Sequence, residues 1–294
     1  MRKFNSLLLA IVIAISSIFT INITENAKPV LASGTTQNYK KIDYYTSGKV
    51  KGVTYYFEES GNQVKKHNGL HDTETSTYNI YSQKNGKSKL LVKDVENNCI
   101  TNGTYLYYVK YKNYKANVYR MTLKTKKSKK LFTAPKKDSY YECKVFQVKG
   151  NYLYFISAYD DGDFSYRTYV HNTKTKKNKK LGNRINVSIW GKQLIIQEGG
   201  TELTNMNIYF AKLNGTKKKK IVSGATYFVY KNKFYWLEEK FEGSNYQYRL
   251  GCCNKNGKNK KYVSTWKSGL DQNTDIPNFS STNEEKKKLI DRMK

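Results

Sequence analysis

Leu123-Lys124-Thr125-Lys126-Lys127-Ser128-Lys129-Lys130-Leu131 decides the fold of this chain, because the same plan is used five times. It returns at Gln83–Leu91, Thr173–Leu181, Leu213–Ile221 and Asn254–Tyr262, each a lysine-studded turn that closes on an apolar residue. The closing residues Leu91, Leu131, Leu181, Ile221 and Tyr262 stand 40, 50, 40 and 41 positions apart. A period near 40 built only from strand-like segments predicts an all-β chain: a β-propeller with one four-stranded blade per copy.

Each unit opens with a turn at Gly52, Gly103, Gly150, Gly191 or Lys231, and four residues later comes a strand centre at Tyr56, Tyr107, Tyr154, Ile195 or Tyr235. Runs such as Tyr105–Val109 and Tyr152–Ile156 are bulky at every position. A strand exposed on one face alternates with period two, whereas a strand covered on both faces need not. Blades packed face to face around an axis give that double cover. A third strand (Tyr78–Tyr81, Val118–Met121, Tyr166–Val170, Asn207–Phe210, Tyr246–Leu250) leads into each lysine turn. Asn85-Gly86, Asn214-Gly215 and Asn256-Gly257 suit tight hairpins, while Thr125-Lys126 and Thr175-Lys176 are poorer formers. Short stretches such as Lys144–Val148, Asn186–Trp190 and Thr226–Tyr230 supply the innermost strand.

These readings divide the chain into residues 1–32 as an export signal, 33–42 as a short linker, 43–270 as the propeller and 271–294 as a polar tail. Five four-stranded blades are expected; a larger ring completed by a second chain, or an irregular blade from the two ends, stays open. Surplus length in unit 1 falls in the loop Ser60–Thr77, and a second insertion covers Thr133–Tyr140. A short helix is expected from Asn283, behind a Thr282/Glu285 capping pair.

The Tyr-Leu-Tyr-Tyr and Tyr-Leu-Tyr-Phe strands with the Lys-Thr-Lys-Lys hairpin resemble an uncharacterised family of exported bacterial β-propellers. That family is named for the propeller of low-density-lipoprotein-receptor-related proteins. The likeness spans about residues 43 to 265 and implies fold, not activity. The Tyr-Trp-Thr-Asp signature of the receptors, the Asp boxes of sialidases and the Trp-Asp ends of another propeller class are absent, so no functional residue is carried over.

Met1-Arg2-Lys3 followed by the apolar run Leu7–Ile23 reads as an export signal, with Val30-Leu31-Ala32 as a small-residue cleavage site near Ala32. An uncleaved anchor is the alternative. A secreted or surface-associated bacterial protein is expected. Cys99, Cys143, Cys252 and Cys253 are too few for a disulfide scaffold and read as buried thiols, with a Cys99–Cys143 bridge left open.

Lys+Arg number 53 against Asp+Glu 23, a net charge of +30. The five hairpin segments hold 21 lysines, including Lys126, Lys127, Lys176, Lys177, Lys217, Lys218 and Lys258, which should ring one face. Glu58, Asp160, Asp161, Asp163, Glu198 and Glu238 follow the second strand of their units and should mark the opposite face. Lysine turns keep outer strands from pairing edge to edge, and they also attract phosphate or carboxylate polymers. The expectation is an exported, non-catalytic binding module at the bacterial cell surface, contacting an anionic wall polymer, glycan or surface protein through that rim. Nucleic acid is not an expected partner, since no stacking or groove-reading motif is present. The alternative is a carbohydrate-active propeller enzyme, of glycoside hydrolase or lyase type, using carboxylates on the face opposite the lysines. No catalytic residue, metal site or cofactor is assigned; His67 and His71 lie four apart in a loop rather than on a helix.

Overall fold

The lysine turns close because at least one residue in each takes a left-handed backbone. Asn85 and Gly86 have φ of 50° and 75°, matching the twist of a two-residue hairpin. Lys126 and Lys176 reach 55° and 59°, at roughly 1–2 kcal/mol relative to glycine. Gly257 answers a close approach as well: at φ 75° a Cβ there would lie 2.6 Å from Ile221 Cδ1 of the preceding blade.

This is a computed structural model that describes residues 39–67, 72–135, 142–159, 165–183, 185–199, 206–242, 245–270 and 275–294. The expected export signal lies outside them. A first strand, β1 (Lys40–Asp43), precedes five antiparallel sheets. Blade 1 holds β2 (Gly48–Val50), β3 (Val53–His67), β4 (Asp72–Lys84) and β5 (Lys87–Val95). Blade 2 holds β6 (Asn98–Thr101), β7 (Tyr105–Lys112), β8 (Lys115–Thr122) and β9 (Lys127–Thr133). Blade 3 is β10 (Glu142–Lys149), β11 (Tyr152–Tyr159), β12 (Ser165–Asn172) and β13 (Lys177–Asn183). Blade 4 is β14 (Ile185–Trp190), β15 (Gln193–Glu198), β16 (Met206–Lys212) and β17 (Lys219–Gly224). Blade 5 is β18 (Thr226–Tyr230), β19 (Lys233–Glu242) and β20 (Asn245–Asn254), with a broken outer edge of β21 (Lys261–Tyr262) and β22 (Lys267–Ser268). A helix, α1 (Asn283–Met293), ends the chain.

Inner and outer edges differ as a propeller requires. Every residue of β6 is buried, whereas the first four of β9 and of β13 are exposed. Between the third and fourth strands of blades 1 to 4 the register slips, as at Val118/Tyr119, Thr168/Tyr169 and Ile208/Tyr209; such bulges sharpen the local twist. Successive residues of the second strand of blade 3 then serve two neighbours. Leu153 and Phe155 pack with Tyr107 and Val109 of blade 2, while Tyr154 packs with Leu194 and Ile196 of blade 4. Phe234 of blade 5 meets Phe210 of blade 4 at 5.1 Å. Burying one such side chain contributes about 1.5–3 kcal/mol. All four cysteines are buried free thiols.

Several expectations are corrected. Gly52 is the second residue of its turn (Val50 pairs with Val53), whereas Gly150, Gly191 and Lys231 are the first of theirs. The counterpart of Tyr154 is therefore Tyr55, and a one-residue slip exchanges the faces. Ser60–Thr77 is not a loop. After an irregularity between Glu59 and Gln63, the strands continue to pair out to His67 and Asp72. The linker gives way at Lys40, because Lys40–Asp43 pair with Thr101–Asn98 at the axial edge of blade 2 and bury Ile42 completely.

The C-terminal segment is not a free polar tail either. Thr282 accepts from the Glu285 N–H at 3.2 Å, and Glu285 accepts from the Thr282 N–H at 2.6 Å. Behind that cap, Leu289, Ile290 and Met293 are buried against Phe228, Leu237, Tyr248 and Leu250 of blade 5. Spacing of one helical turn between Leu289 or Ile290 and Met293 puts all three on one stripe. No helix among the described residues is long and apolar enough to cross a membrane.

Candidate functional site

Antiparallel order puts the connections between blades at the same end as the turns joining second to third strands. At that end, near the axis, four separate stretches bring charge together. Asp43 ends β1 opposite Asn98, the first residue of β6, and Lys41 lies two residues back. Glu96 occupies the link from blade 1 to blade 2, its N–H bonded to Val109 O at 2.9 Å. Glu142 and Lys144 open β10. Lys66 arrives from the extended hairpin of blade 1.

Their geometry falls into three ion pairs. Lys66 Nζ lies 2.8 Å from Glu96 Oε2 with both side chains under a tenth exposed, and 4.5 Å above the Tyr111 ring. Lys144 pairs with Glu142, and Lys41 Nζ lies 3.9 Å from Asp43 Oδ2. These last four side chains are 20–34% exposed, so solvent and solutes reach them.

The environments push the groups apart. Burial lowers the Lys41 pKa, the ammonium of Lys144 lowers it further, and Asp43 and Glu142 oppose both. Burial raises the Glu96 pKa against the pull of Lys66, and Glu142 adds to the rise. Burial also carries the Tyr111 hydroxyl and the Cys143 thiol well up. Asn98 leaves its amide oxygen and nitrogen buried without a hydrogen-bond partner among the described residues. A lysine with a lowered pKa, set among Asp43, Glu142 and a second ammonium, is the kind of perturbed group found where acid–base chemistry is done.

The residues read from the sequence do not assemble in this way. Lys126, Lys127, Lys176, Lys177, Lys217 and Lys258 are exposed on their hairpins, at the end opposite the charged cluster. Lys126 contacts Lys89 of the neighbouring hairpin, which lowers its pKa. Lys218 instead lies 4.2 Å over the Tyr209 ring and pairs with Glu198 at 2.5 Å. Glu58 is exposed on blade 1. Glu238 is held by Arg249 at 2.7 Å and by the Tyr262 hydroxyl at 2.6 Å. Asp160, Asp161, Asp163 and His71 lie outside the described residues. The axial carboxylates were missed because the inner strand of unit 3 was begun at Lys144; starting it at Glu142 would have exposed the Glu-Cys-Lys pattern. Among the described residues, no group of three or more His, Cys, Asp or Glu is placed to hold a metal.

No family model matches the chain, and no curated protein matches it. It is similar to the solved structure of an acylaminoacyl peptidase bound to a chloromethyl ketone, at 13% identity and TM-score 0.46. That match covers 71% of this chain and 38% of the peptidase, so the chain spans well under half of that protein. It is also similar to oligogalacturonate lyase from Vibrio parahaemolyticus (12% identity, 84% and 75% covered, TM-score 0.43). The β-propeller domain of the Trilobed protease from Pyrococcus furiosus gives 12% identity, 76% and 71% covered, and TM-score 0.44. At these identities the likeness concerns fold alone, and the five sheets described above are those of a β-propeller. Several of these similar proteins are enzymes, which overturns the expectation of a non-catalytic binding module: the fold and the lack of a familiar motif do not exclude catalysis, and that reading is withdrawn.

Proposed function

We propose that this chain is a carbohydrate-active propeller enzyme of lyase type, acting on an acidic polysaccharide at the axial cluster. The observation that supports it is Lys41, a partly buried lysine with a depressed pKa, next to Lys144 and flanked by Asp43 and Glu142. A lysine so placed is deprotonated more readily near neutral pH and serves as a general base. In elimination from a uronate, Lys41 takes the proton from the carbon bearing the carboxylate. The released electron pair forms a carbon–carbon double bond, the bond to the glycosidic oxygen breaks, and that oxygen collects a proton from water. Lys144 holds the substrate carboxylate and so stabilises the charge that builds up as the proton leaves.

The test is incubation of the full chain with polygalacturonate and alginate while following the ultraviolet absorbance of the new double bond. Lys41→Ala should slow the reaction by about 100-fold or more, and Lys144→Ala should act mainly on KM. No unsaturated product from either polymer overturns the lyase reading. New reducing ends without a double bond support instead a hydrolase using Glu142 and Asp43, the carboxylates that share the mouth.

We infer further that the chain belongs with the exported receptor-related-protein-like propellers and is secreted or surface-associated after cleavage before Ser33. Support comes from Met1-Arg2-Lys3, the apolar run to Ile23 and the repeat strands. N-terminal sequencing of protein recovered outside the cell tests the site; a mature chain starting at Met1 refutes it.

A further inference from the structure

The outer edge of blade 5 departs from every other blade. Where blades 1 to 4 carry continuous fourth strands of 9, 7, 7 and 6 residues, this edge is cut into β21 and β22, two residues each. At the break Val263 N–H still bonds Leu250 O at 2.8 Å and Ser264 Oγ accepts from Leu250 N–H at 2.9 Å, and Trp266 comes beside Arg249, whose guanidinium carbon is 3.6 Å from the Tyr262 ring centre and 4.7 Å from that of Trp266. Lys240 Nζ stands 4.9 Å from Trp266 and pairs with Glu242 at 2.6 Å. Glu238 fixes the arrangement. It accepts from Arg249 Nη2 at 2.7 Å, from the Tyr262 hydroxyl at 2.6 Å and from Trp236 Nε1 at 3.4 Å. Trp236 can lie there because Gly251 has no side chain; a Cβ would be 2.2 Å from its ring.

Tyr262 nevertheless keeps 47% of its surface in solvent, and Phe241 (63%) and Tyr246 (42%) form an exposed pair 5.0 Å apart on the same blade. Three of the five exposed large apolar side chains among the described residues thus sit on this one sheet. From this geometry we infer that the outer edge of blade 5 is an accessory polysaccharide site, on which pyranose rings of a uronate-bearing chain stack against Tyr262 and Trp266 while Lys240 and Arg249 meet the carboxylates. Ring faces attract the positively polarised C–H face of a sugar through the same quadrupole that holds Arg249. Locked rings bind with little loss of side-chain freedom. A cationic ligand does not suit the site, because the two rings already carry Arg249 and Lys240.

The site shares no residue with the axial cluster, so its failure and that of the lyase reading are separately visible. The experiment is retention of the full chain on immobilised polygalacturonate at about 1 M salt, where the screening length is about 3 Å and the lysine hairpins contribute little. Tyr262→Ala and Trp266→Ala should each weaken retention by about tenfold, with thermal unfolding checked alongside. Tyr262→Phe, which keeps the ring, should stay within about twofold of wild type. Should Trp266→Ala fail to fold, the two Tyr262 variants decide alone. Retention indifferent to Tyr262→Ala overturns the site, and equal retention on neutral amylose overturns the uronate assignment.

Discussion

Blades 1 and 5, the first and last in chain order, finish one face each in opposite ways. On blade 5 the face is apolar, with Phe228, Leu237 and Leu250 fully buried because α1 lies over them. On blade 1 the matching face carries Tyr56 and Tyr81, stacked at 5.4 Å, among exposed Glu58 and Gln83, and the Tyr56 hydroxyl bonds Ser88 Oγ at 2.9 Å. One end is closed by adding an element, the other by changing the side chains. Repeat arrays need capped ends for solubility, and this chain meets the requirement by two routes of unequal energetic weight.

That inequality is measurable. Leu289→Ala should cost about 2–5 kcal/mol in urea unfolding, as a buried leucine does, and Leu289→Asp should drive aggregation by uncovering blade 5. Tyr56→Ala should cost only about 1 kcal/mol, the value of one hydrogen bond and a partly exposed ring contact. Equal losses at the two ends would erase the distinction.

An interior blade supplies a reference for both. His171 is 1% exposed, stacked 4.1 Å from Phe132, with Nδ1 2.7 Å from Asn178 Oδ1. Burial lowers its pKa below the usual 6.5 against the opposing Asn178 contact. A folded pKa that is depressed gives stability that is full above about pH 6.5 and is lost as pH falls through the folded value, by at most about 1.4 kcal/mol per unit. His171→Asn should flatten that slope, and neither end variant should alter it. The smallest effect is a gain: Lys176→Gly relieves a left-handed lysine and should stabilise the chain by up to about 1 kcal/mol, reduced by the added freedom of the unfolded chain.

The blades were legible because their signals are local. Turn residues such as Asn85-Gly86 and the bulky runs at Tyr105–Val109 and Tyr152–Ile156 each report one hairpin, and their period reports the stack. Aligning by glycine failed at Gly52, since a two-residue turn accepts glycine in either position and the sequence does not say which. The extended hairpin of blade 1 looked like a loop because Ser60-Gly61-Asn62 interrupts it and polar residues fill both strands beyond. The axial cluster was harder still. Lys41, Lys66, Glu96 and Glu142 come from four stretches spread over a hundred positions, each an unremarkable charge until the sheets are stacked. Glu198 and Glu238 were found as acidic residues, but their cationic partners, Lys218 in the hairpin before β17 and Arg249 on β20, come from other parts of the same blades, which no spacing rule reveals.

Because β1 joins the sheet of blade 2 rather than that of blade 5, no hydrogen-bonded ladder among the described residues ties the first part of the chain to the last. Tension applied between the two termini therefore meets no shared seam. The load falls on β1 at one end, which carries Lys41 and Asp43 of the axial cluster on four residue pairs, and on helix α1 at the other.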